Sequence, residues 1–429
     1  MLNRFFKLDE NNTTVKTEVL AGITTFLTMA YIIFVNPSIL AEAGMDKGAV
    51  FVATILAAAA GTAIMGLYAN YPVALAPGMG LNAFFTYGVV LGMGHPWQTA
   101  LGAVFVSGVL FLILSVLPIR EWIINSIPQV LKIAISAGIG MFLAIIALKN
   151  AGIVVDHPAT LVTLGDLTTP TVLLASLGFV LTVALSARQI PGAILLSILI
   201  VTVLGIAFGV SDTGGVFSMP PSIAPTFMQM DIMAALDVGL ISVVFAFLFV
   251  DLFDTAGTLV GLAHRAGMLD ENGRLPRLRK ALMADSIATV VGAAAGTSNT
   301  TSYIESAAGV NAGGRTGLTA VVVSILFLLA LFLSPLAGTI QPYATAPALL
   351  YVACLMMRGL SEIDWEDVTE MAPAVITAIA MPLTFSIVSG IGFGFISYVV
   401  IKLLSGKISS VNPAVMVLAV AFIAKFAFG

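Results

Sequence analysis

The sequence predicts an all-α polytopic membrane protein of fourteen transmembrane segments, built as a seven-plus-seven inverted repeat in which segments 3 and 10 are discontinuous. Three observations carry this expectation. The 429 residues are 59% hydrophobic and only 9% charged, with a mean hydropathy of +1.07, whereas soluble domains carry about 25% charged residues. Apolar runs of membrane-crossing length recur along the whole chain. Finally, the two halves share landmarks in the same order.

A span needs about 20 apolar residues. The runs are 17–40, 49–69, 73–92, 97–117, 129–149, 170–187, 191–209, 238–263, 281–296, 301–312, 316–336, 342–358, 370–388 and 391–405. The third and tenth are too short or too rich in Gly and Pro for ordinary spanning helices. A further apolar piece, 411–428, is expected either to cross or to lie at the interface. The polar start MLNRFFKLDENNTTVKTEVL lacks the short apolar stretch and small-residue cleavage site of a removable leader. The single cysteine, Cys354, lies in an apolar segment and reads as a small core hydrophobe, so neither an intrachain disulfide nor a cysteine metal cluster is expected.

Charge distribution orients these spans. With the N-terminus in the cytoplasm, fifteen basic residues fall on the cytoplasmic side, among them Arg4, Lys7, Lys16, Arg120, Lys132, Arg188, Arg265, Arg274, Arg277, Lys280, Arg315, Arg358 and Lys402. Only Lys47 and Lys149 fall outside, with Lys425 unassigned. That is a strong positive-inside pattern, and one misplaced span would scramble it.

The internal repeat sets the architecture. ATILAAAAGT (53–62) in the second span matches ATVVGAAAGT (288–297) in the ninth. Upstream, LAEAGMD (40–46) parallels LAHRAGMLD (262–270), and downstream ARQIPGAIL (187–195) falls where SGIGFGFIS (389–397) falls. Seven spans is an odd number, so the two halves run in opposite senses. Inverted repeats build transporters, with a site near the midplane among broken helices. YPVALAPGMGLNAFFTYG (71–88) and GTSNTTSYIESAAGVNAGG (296–314) interrupt the apolar pattern at corresponding positions. Non-helical backbone at that depth is tolerated only when buried in protein or lining a cavity.

The polar residues at this depth form a recognisable set. Asp251 lies at the midpoint of its span, with Asp254, Thr255 and Thr258 at i+3, i+4 and i+7 on one face. Tyr303 and Glu305 emerge from the unwound entry of segment 10, and Asn82 precedes Phe84 and Phe85 in segment 3. Thr24, Thr28 and Tyr31 stripe segment 1. Carboxylates, an amide and aromatic faces without a midplane Lys or Arg suit a flat neutral heterocycle with N–H donors, such as a nucleobase. The carboxylates also offer a route for proton coupling. Plainer roles compete at several positions: Asp254 could brace a neighbouring helix, Asn82 could cap one, and Thr24 and Thr28 could glue helices together. Asp285, read as lying near the cytoplasmic end of segment 9, is expected to be structural. His95, His157 and His264 are all in loops, so no histidine relay is expected. An anion channel or exchanger on the same scaffold is a competing reading, but it calls for a basic or carboxylate-free site. Neither an HExxH nor a GxGD context points to a membrane enzyme.

The stretches LAGITTFLTMAYIIFVNPSIL (20–40), LAPGMGLNAFF (75–85), LFDTAGTLVG (252–261) and TSYIESAAGVNAGGRTGLTA (301–320) resemble the azaguanine-type purine permeases of the nucleobase–cation symporter-2 superfamily. The resemblance covers nearly the whole chain. It implies a core domain moving against a gate domain. Residues 1–120 would hold core segments 1–4, 121–210 gate segments 5–7, 211–237 an extracytoplasmic connection, 238–338 core segments 8–11 and 339–429 gate segments 12–14 with the C-terminal piece. It implies proton-driven import of a purine base through the inner (plasma) membrane, hypoxanthine and guanine being favoured over adenine by GLNAFF, with adenine, uracil or xanthine as alternatives. Carried over by motif, Asp251 and Glu305 become base-binding carboxylates, Asn82 a polar contact, Tyr303 a lining residue and Asp254 a needed neighbour. Phe84, Thr28 and Thr255 complete the expected substrate set, and Asp251, Glu305 and Asp254 the proton-coupling set. Thr255 stands where uracil and xanthine carriers often place a histidine, so a carboxylate must carry the proton. No cofactor, metal or nucleic-acid partner is expected, and a homodimer is left open.

Overall fold

The computed structural model describes residues 2–117, 126–237, 240–268 and 275–428. Arg120, Arg274 and the 120/121 boundary lie outside the described residues, as do the first two residues of the eighth apolar run and the side chains of His264 and Arg265. Every apolar run has a counterpart in the chain. Nine helices among the described residues are long and apolar enough to cross a membrane, in segments 1, 2, 4, 5, 6, 8, 11, 12 and 14. Segments 7 (Ala193–Ala207) and 13 (Val368–Thr384) are shorter helices. Segment 9 (Leu278–Ala295) opens on Arg279 and Lys280 and carries Asp285, which lowers its hydropathy.

Segment 1 is two helices, Val15–Met29 and Ile32–Glu42. The helix is interrupted at Ala30–Tyr31, and Pro37, inside the second helix, has no N–H for the Ile33 carbonyl. Segment 3 is a strand, β1 (Leu75–Pro77), then a short helix Met79–Ala83 that widens into π-type turns over Phe84–Gly92. A hairpin of β2 (Val154–His157) and β3 (Leu161–Leu164) fills the connection after segment 5. Segment 10 is β4 (Thr300–Ser302) followed by the helix Ser306–Asn311. The sequence led us to expect unwound entries here, but not that they would pair. β1 and β4 run antiparallel with Leu75 opposite Ser302, Ala76 opposite Thr301 and Pro77 opposite Thr300. Gly78 N–H to Asn299 O (2.9 Å) and Tyr303 N–H to Ala74 O (2.9 Å) lengthen this ladder. Away from water each unwound stretch must satisfy its backbone inside the protein, and here each does so with the other.

The helices pack in two groups. Segment 9 lies on segments 2 and 4, segment 11 on 1 and 2, and the helix of segment 10 on segment 1. Separately, segment 5 (Gln129–Asn150) packs on segments 12 and 13, and segment 12 (Pro342–Met357) also on segment 6. The repeated stretches of segments 2 and 9 touch: a Cβ on Gly61 would stand 2.5 Å from the Ala288 methyl carbon. Gly296 ends segment 9 at φ +103°, and a Cβ there would lie 2.3 Å from Thr226. Only glycine fits that turn.

The two ends of the bundle differ. At one end the Arg277 guanidinium covers the Tyr71 ring at 4.5 Å and the Lys280 ammonium covers Tyr68 at 5.1 Å. The N-terminal residues reach the same region, where Asn70 Nδ2 donates to Phe6 O (3.1 Å). At the other end the Tyr87 hydroxyl donates to Glu42 Oε1 (2.8 Å), and Asn150 Nδ2 reaches both Glu42 Oε1 (3.1 Å) and the Tyr87 oxygen (3.2 Å). This cluster ties segments 1 and 3 to segment 5. The last run is one helix, Pro413–Phe428, packed on segment 14 (Ile387–Leu404). Cys354 departs from the core role expected of it: it is exposed, on an outer face of segment 12.

Candidate functional site

Segment 8 (Ile241–Ala266) is the axis of the site. Its Phe245, Phe249 and Phe253 rings stack at 6.1 Å intervals, and Phe249, Val250 and Phe253 pack near Ile391, Phe395, Leu418 and Phe422 of segment 14 and the C-terminal helix. Beyond Phe253 this cover ends. Asp254 and Gly257 are exposed, and a Cβ on Gly257 or Gly261 would meet nothing within 4 Å. A cleft therefore begins beside Asp254 and runs along segment 8 towards the end that carries Arg277 and Lys280.

Glu305 stands on the same cleft. It is half-buried, lies close enough to Asp254 for their charges to act on each other, and follows the strand β4 by three residues. Its Oε1 accepts the Tyr31 hydroxyl at 2.6 Å, and its backbone oxygen accepts Thr28 Oγ1 at 3.4 Å. Tyr31 sits at the break between the two helices of segment 1, from which its phenol reaches this carboxylate.

The remaining expected residues lie behind the strand pair. Asp251 is 1% exposed, and its Oδ2 accepts Thr289 Oγ1 (3.1 Å) and Asn299 Nδ2 (3.0 Å). Thr255 is buried and shares a hydrogen bond with Thr301 Oγ1 (2.7 Å) on β4. The Tyr303 hydroxyl donates to Pro77 O (2.6 Å), which locks β1 to segment 10. Buried Asn82 accepts the Ser298 hydroxyl, while its Nδ2 has no partner. Phe84 is buried against Phe247, ring centroids 4.8 Å apart, and does not reach the cleft.

Helical geometry explains this split. At 3.6 residues per turn Asp254 lies about 60° to one side of Asp251 and Thr255 about 40° to the other. One stripe in the sequence thus has two flanks. The strand pair covers the Thr255 flank, and the cleft opens on the Asp254 flank. The sequence reading put Asp251 in the contact position and Asp254 in support; in the structure Asp254 is the accessible acid.

Several residues of this centre were not picked out from sequence. Asp285, expected to be structural near the cytoplasmic end of segment 9, is fully buried beside β4, where its Oδ1 accepts the Ser302 hydroxyl (3.0 Å). Asn36 donates to Thr54 (2.7 Å) and Thr297 (2.8 Å) and joins segments 1, 2 and 10. The signal was available in GTSNTTS, seven small or polar residues in a row, all of them buried. Among the described residues no cluster of three or more His, Cys, Asp or Glu side chains could hold a metal ion.

Comparisons with known proteins agree with this architecture. The transmembrane domain of a cyanobacterial bicarbonate transporter, BicA, superposes with a TM-score of 0.65 at 16% identity, over 88% of this chain and 97% of that one. At that identity the likeness speaks for the fold alone, an inverted-repeat transporter. In sequence, the adenine permease AdeP of Escherichia coli is 51% identical over 428 residues, covering 100% of this chain and 96% of its own length. The guanine/hypoxanthine permease PbuG of Bacillus subtilis is 47% identical over 439 residues, covering both chains completely. The family model described as "Permease family", that of the xanthine/uracil permeases, matches residues 16–393. A membrane carrier and not an enzyme, the chain belongs to this permease family and, within it, to the azaguanine-type purine permeases of the nucleobase–cation symporter-2 superfamily.

Proposed function

We propose that the protein imports purine nucleobases with protons through the plasma membrane, its N-terminus cytoplasmic, by sliding segments 1–4 and 8–11 against segments 5–7 and 12–14. One observation carries the ligand class: Asp254 and Glu305 face one accessible cleft, while the aromatic ladder of segment 8 ends at Phe253 beside them. Two carboxylates accept hydrogen bonds from ring N–H and exocyclic amino groups, and an aromatic edge stacks on a flat ring. The same pair repels an inorganic anion, so the resemblance in fold to a bicarbonate transporter does not extend to its cargo.

In this arrangement Asp254 and Glu305 contact the base, the Tyr31 hydroxyl orients Glu305, and Thr28 borders the pocket. Asp251, Thr255, Tyr303 and Asn82 keep β1 and β4 in register, and Phe84 packs the helix behind them. Guanine and hypoxanthine present an N1–H donor that suits a carboxylate, which favours the 6-oxopurines. A second reading, adenine, is favoured by the 51% identity to an adenine permease. Because Asn82 is buried, any part it has in choosing between them acts through the strand pair.

The test is uptake of labelled hypoxanthine by cells lacking their own purine permeases, competed by each unlabelled base. Competition by guanine but not adenine supports the 6-oxopurine reading, and accumulation of adenine instead refutes it. Asp254→Asn and Glu305→Gln should each abolish uptake while the protein still reaches the membrane. Normal uptake by either variant would remove that carboxylate from the pocket.

A further inference from the structure

The strand pair has a second side, away from the cleft, and two further carboxylates meet there. Asp251 arrives from segment 8 and Asp285 from segment 9, both at 1% exposure or less. They are joined through β4. Asn299 and Thr289, the latter one turn from Asp285, hold Oδ2 of Asp251, and Ser302 holds Oδ1 of Asp285. Each acid keeps one oxygen that is buried and without a partner, Oδ1 of Asp251 and Oδ2 of Asp285. The ion pairs among the described residues, Lys7–Glu10, Lys402–Glu370 and Lys407–Asp367, involve neither acid.

This arrangement is hard to reconcile with two anions. Burying a carboxylate costs several kcal/mol unless a counter-charge or a full set of donors meets it. Here one oxygen on each acid makes no hydrogen bond, and each ionised acid adds to the cost of the other. A single proton relieves both problems, because it removes one charge and creates an O–H donor. The titratable group acting on the pair from its surroundings is Asp254 on segment 8, and the Thr301 and Thr255 hydroxyls also lie beside it. Segment 4, which packs on segment 9, contributes the Ser107 hydroxyl, which accepts from the Asn299 amide (3.4 Å).

We propose that the proton moving with the base is carried by the Asp251–Asp285 pair behind the strands, leaving Asp254 and Glu305 to hold the base itself. The inference rests on the proton-coupled reading above. The step is a simple transfer: hydronium gives a proton to one carboxylate oxygen, leaving water and a carboxylic acid, and release on the other side reverses it. β4 links the two sites, since residues 299–302 touch the pair and Glu305 follows three residues later. Filling one site therefore bears on the strand that positions the other.

The experiment uses the full-length protein in proteoliposomes. Wild type and Asp285→Asn are compared in two assays: exchange of labelled for unlabelled base with no gradient, and accumulation driven by an imposed pH difference. A pH difference of about one unit supports about a tenfold gradient for one proton per base. Wild type should approach that ratio. Asp285→Asn should still exchange base but fall to a ratio near one. Ser302→Ala keeps both acids and removes only the hydroxyl on Asp285, so it serves should Asp285→Asn not fold. It should displace the pH profile of driven uptake and leave the KM for the base unchanged. Undiminished pH-driven accumulation by Asp285→Asn, or a wild-type pH profile in Ser302→Ala, overturns the proposal while the transport reading stands. Accumulation that follows a Na+ gradient and not a pH gradient overturns the assignment to a proton. Exchange of base by wild type with neither gradient driving it overturns proton coupling itself, and no exchange of any purine overturns the transport reading as well.

Discussion

Glu18 offers the sharpest quantitative test of how segment 1 is anchored. Its side chain is fully buried and accepts four hydrogen bonds from the start of segment 11: Oε1 takes Arg315 N–H (2.9 Å), and Oε2 takes Thr316 N–H (3.2 Å), Thr319 N–H (3.2 Å) and Thr319 Oγ1–H (2.6 Å). The Arg315 and Thr316 N–H groups are N-terminal donors that the helix itself leaves unpaired, and a carboxylate there also meets the positive end of the helix dipole. Glu18→Ala leaves the Arg315 and Thr316 N–H groups without an acceptor, while Thr319 N–H keeps Thr316 O (3.2 Å) and Thr319 Oγ1 keeps the Glu18 backbone oxygen (3.2 Å). Each buried donor left bare costs about 1–3 kcal/mol, and the losses are not additive because water enters the space vacated. The expected loss is about 3–5 kcal/mol. Glu18→Gln keeps one acceptor oxygen, which turns to the three donors on the Thr319 side. Its amide nitrogen then confronts Arg315 N–H, so about 1–2 kcal/mol is lost. The assay is reversible unfolding in mixed detergent followed by tryptophan fluorescence, wild type against both variants. If Glu18→Ala and Glu18→Gln lose the same stability, or neither loses any, the clamp is not the anchor described here.

Four further outcomes follow from the same geometry. Gly309 faces segment 1 so closely that a Cβ would stand 2.0 Å from Thr25 Oγ1 and 2.7 Å from Ala21 O. Gly309→Ala should therefore lower the thermal midpoint and displace Glu305, and Thr25→Ala in the same chain should restore part of both. Tyr87→Phe removes the hydroxyl at the hub of the Glu42–Tyr87–Asn150 cluster and should loosen the joint between segments 1, 3 and 5. A cysteine at Gly257, with Cys354 replaced, should then react more slowly with a thiol reagent as the cleft closes, and an unchanged rate would mean that the cluster is no latch. Asp367 is half-buried and lies outside the spans. The Thr369 hydroxyl and the Lys407 ammonium hold its carboxyl well below the usual carboxylate range. Its contribution to stability is therefore fully present above the unfolded-state value near ~4 and disappears as pH falls through the lower folded-state value. The stability gap between wild type and Asp367→Asn should be flat from neutral pH to about pH 5 and close only in stronger acid, whereas a gap closing near neutrality would contradict this. Tyr31→Phe should raise the KM for the base, because Glu305 loses the donor that orients it; an unchanged KM would separate Tyr31 from the pocket.

What could be read from the sequence was what depends on the solvent. Lipid demands long apolar runs, unwound backbone there must be buried, and basic residues collect at one end, so the spans, the discontinuity of segments 3 and 10 and the inverted repeat were all legible in one dimension. The identity of the polar residues at depth was legible too, since Asp251, Asp254 and Glu305 stand out against an apolar background. Their placement relative to one another was not. Whether Asp251 or Asp254 faces the cleft depends on which flank of segment 8 the β1–β4 pair covers. That pair joins residues more than 200 positions apart by backbone hydrogen bonds that any side chain could accompany. The weight of Asp285 was hidden for the same reason: it lies on a helix that reads as ordinary, and only β4 brings Ser302 to it. Solvent preference is local and additive along the chain, whereas strand pairing is long-range and carried by the backbone, so tertiary structure alone decided which carboxylates meet the cleft and which meet each other.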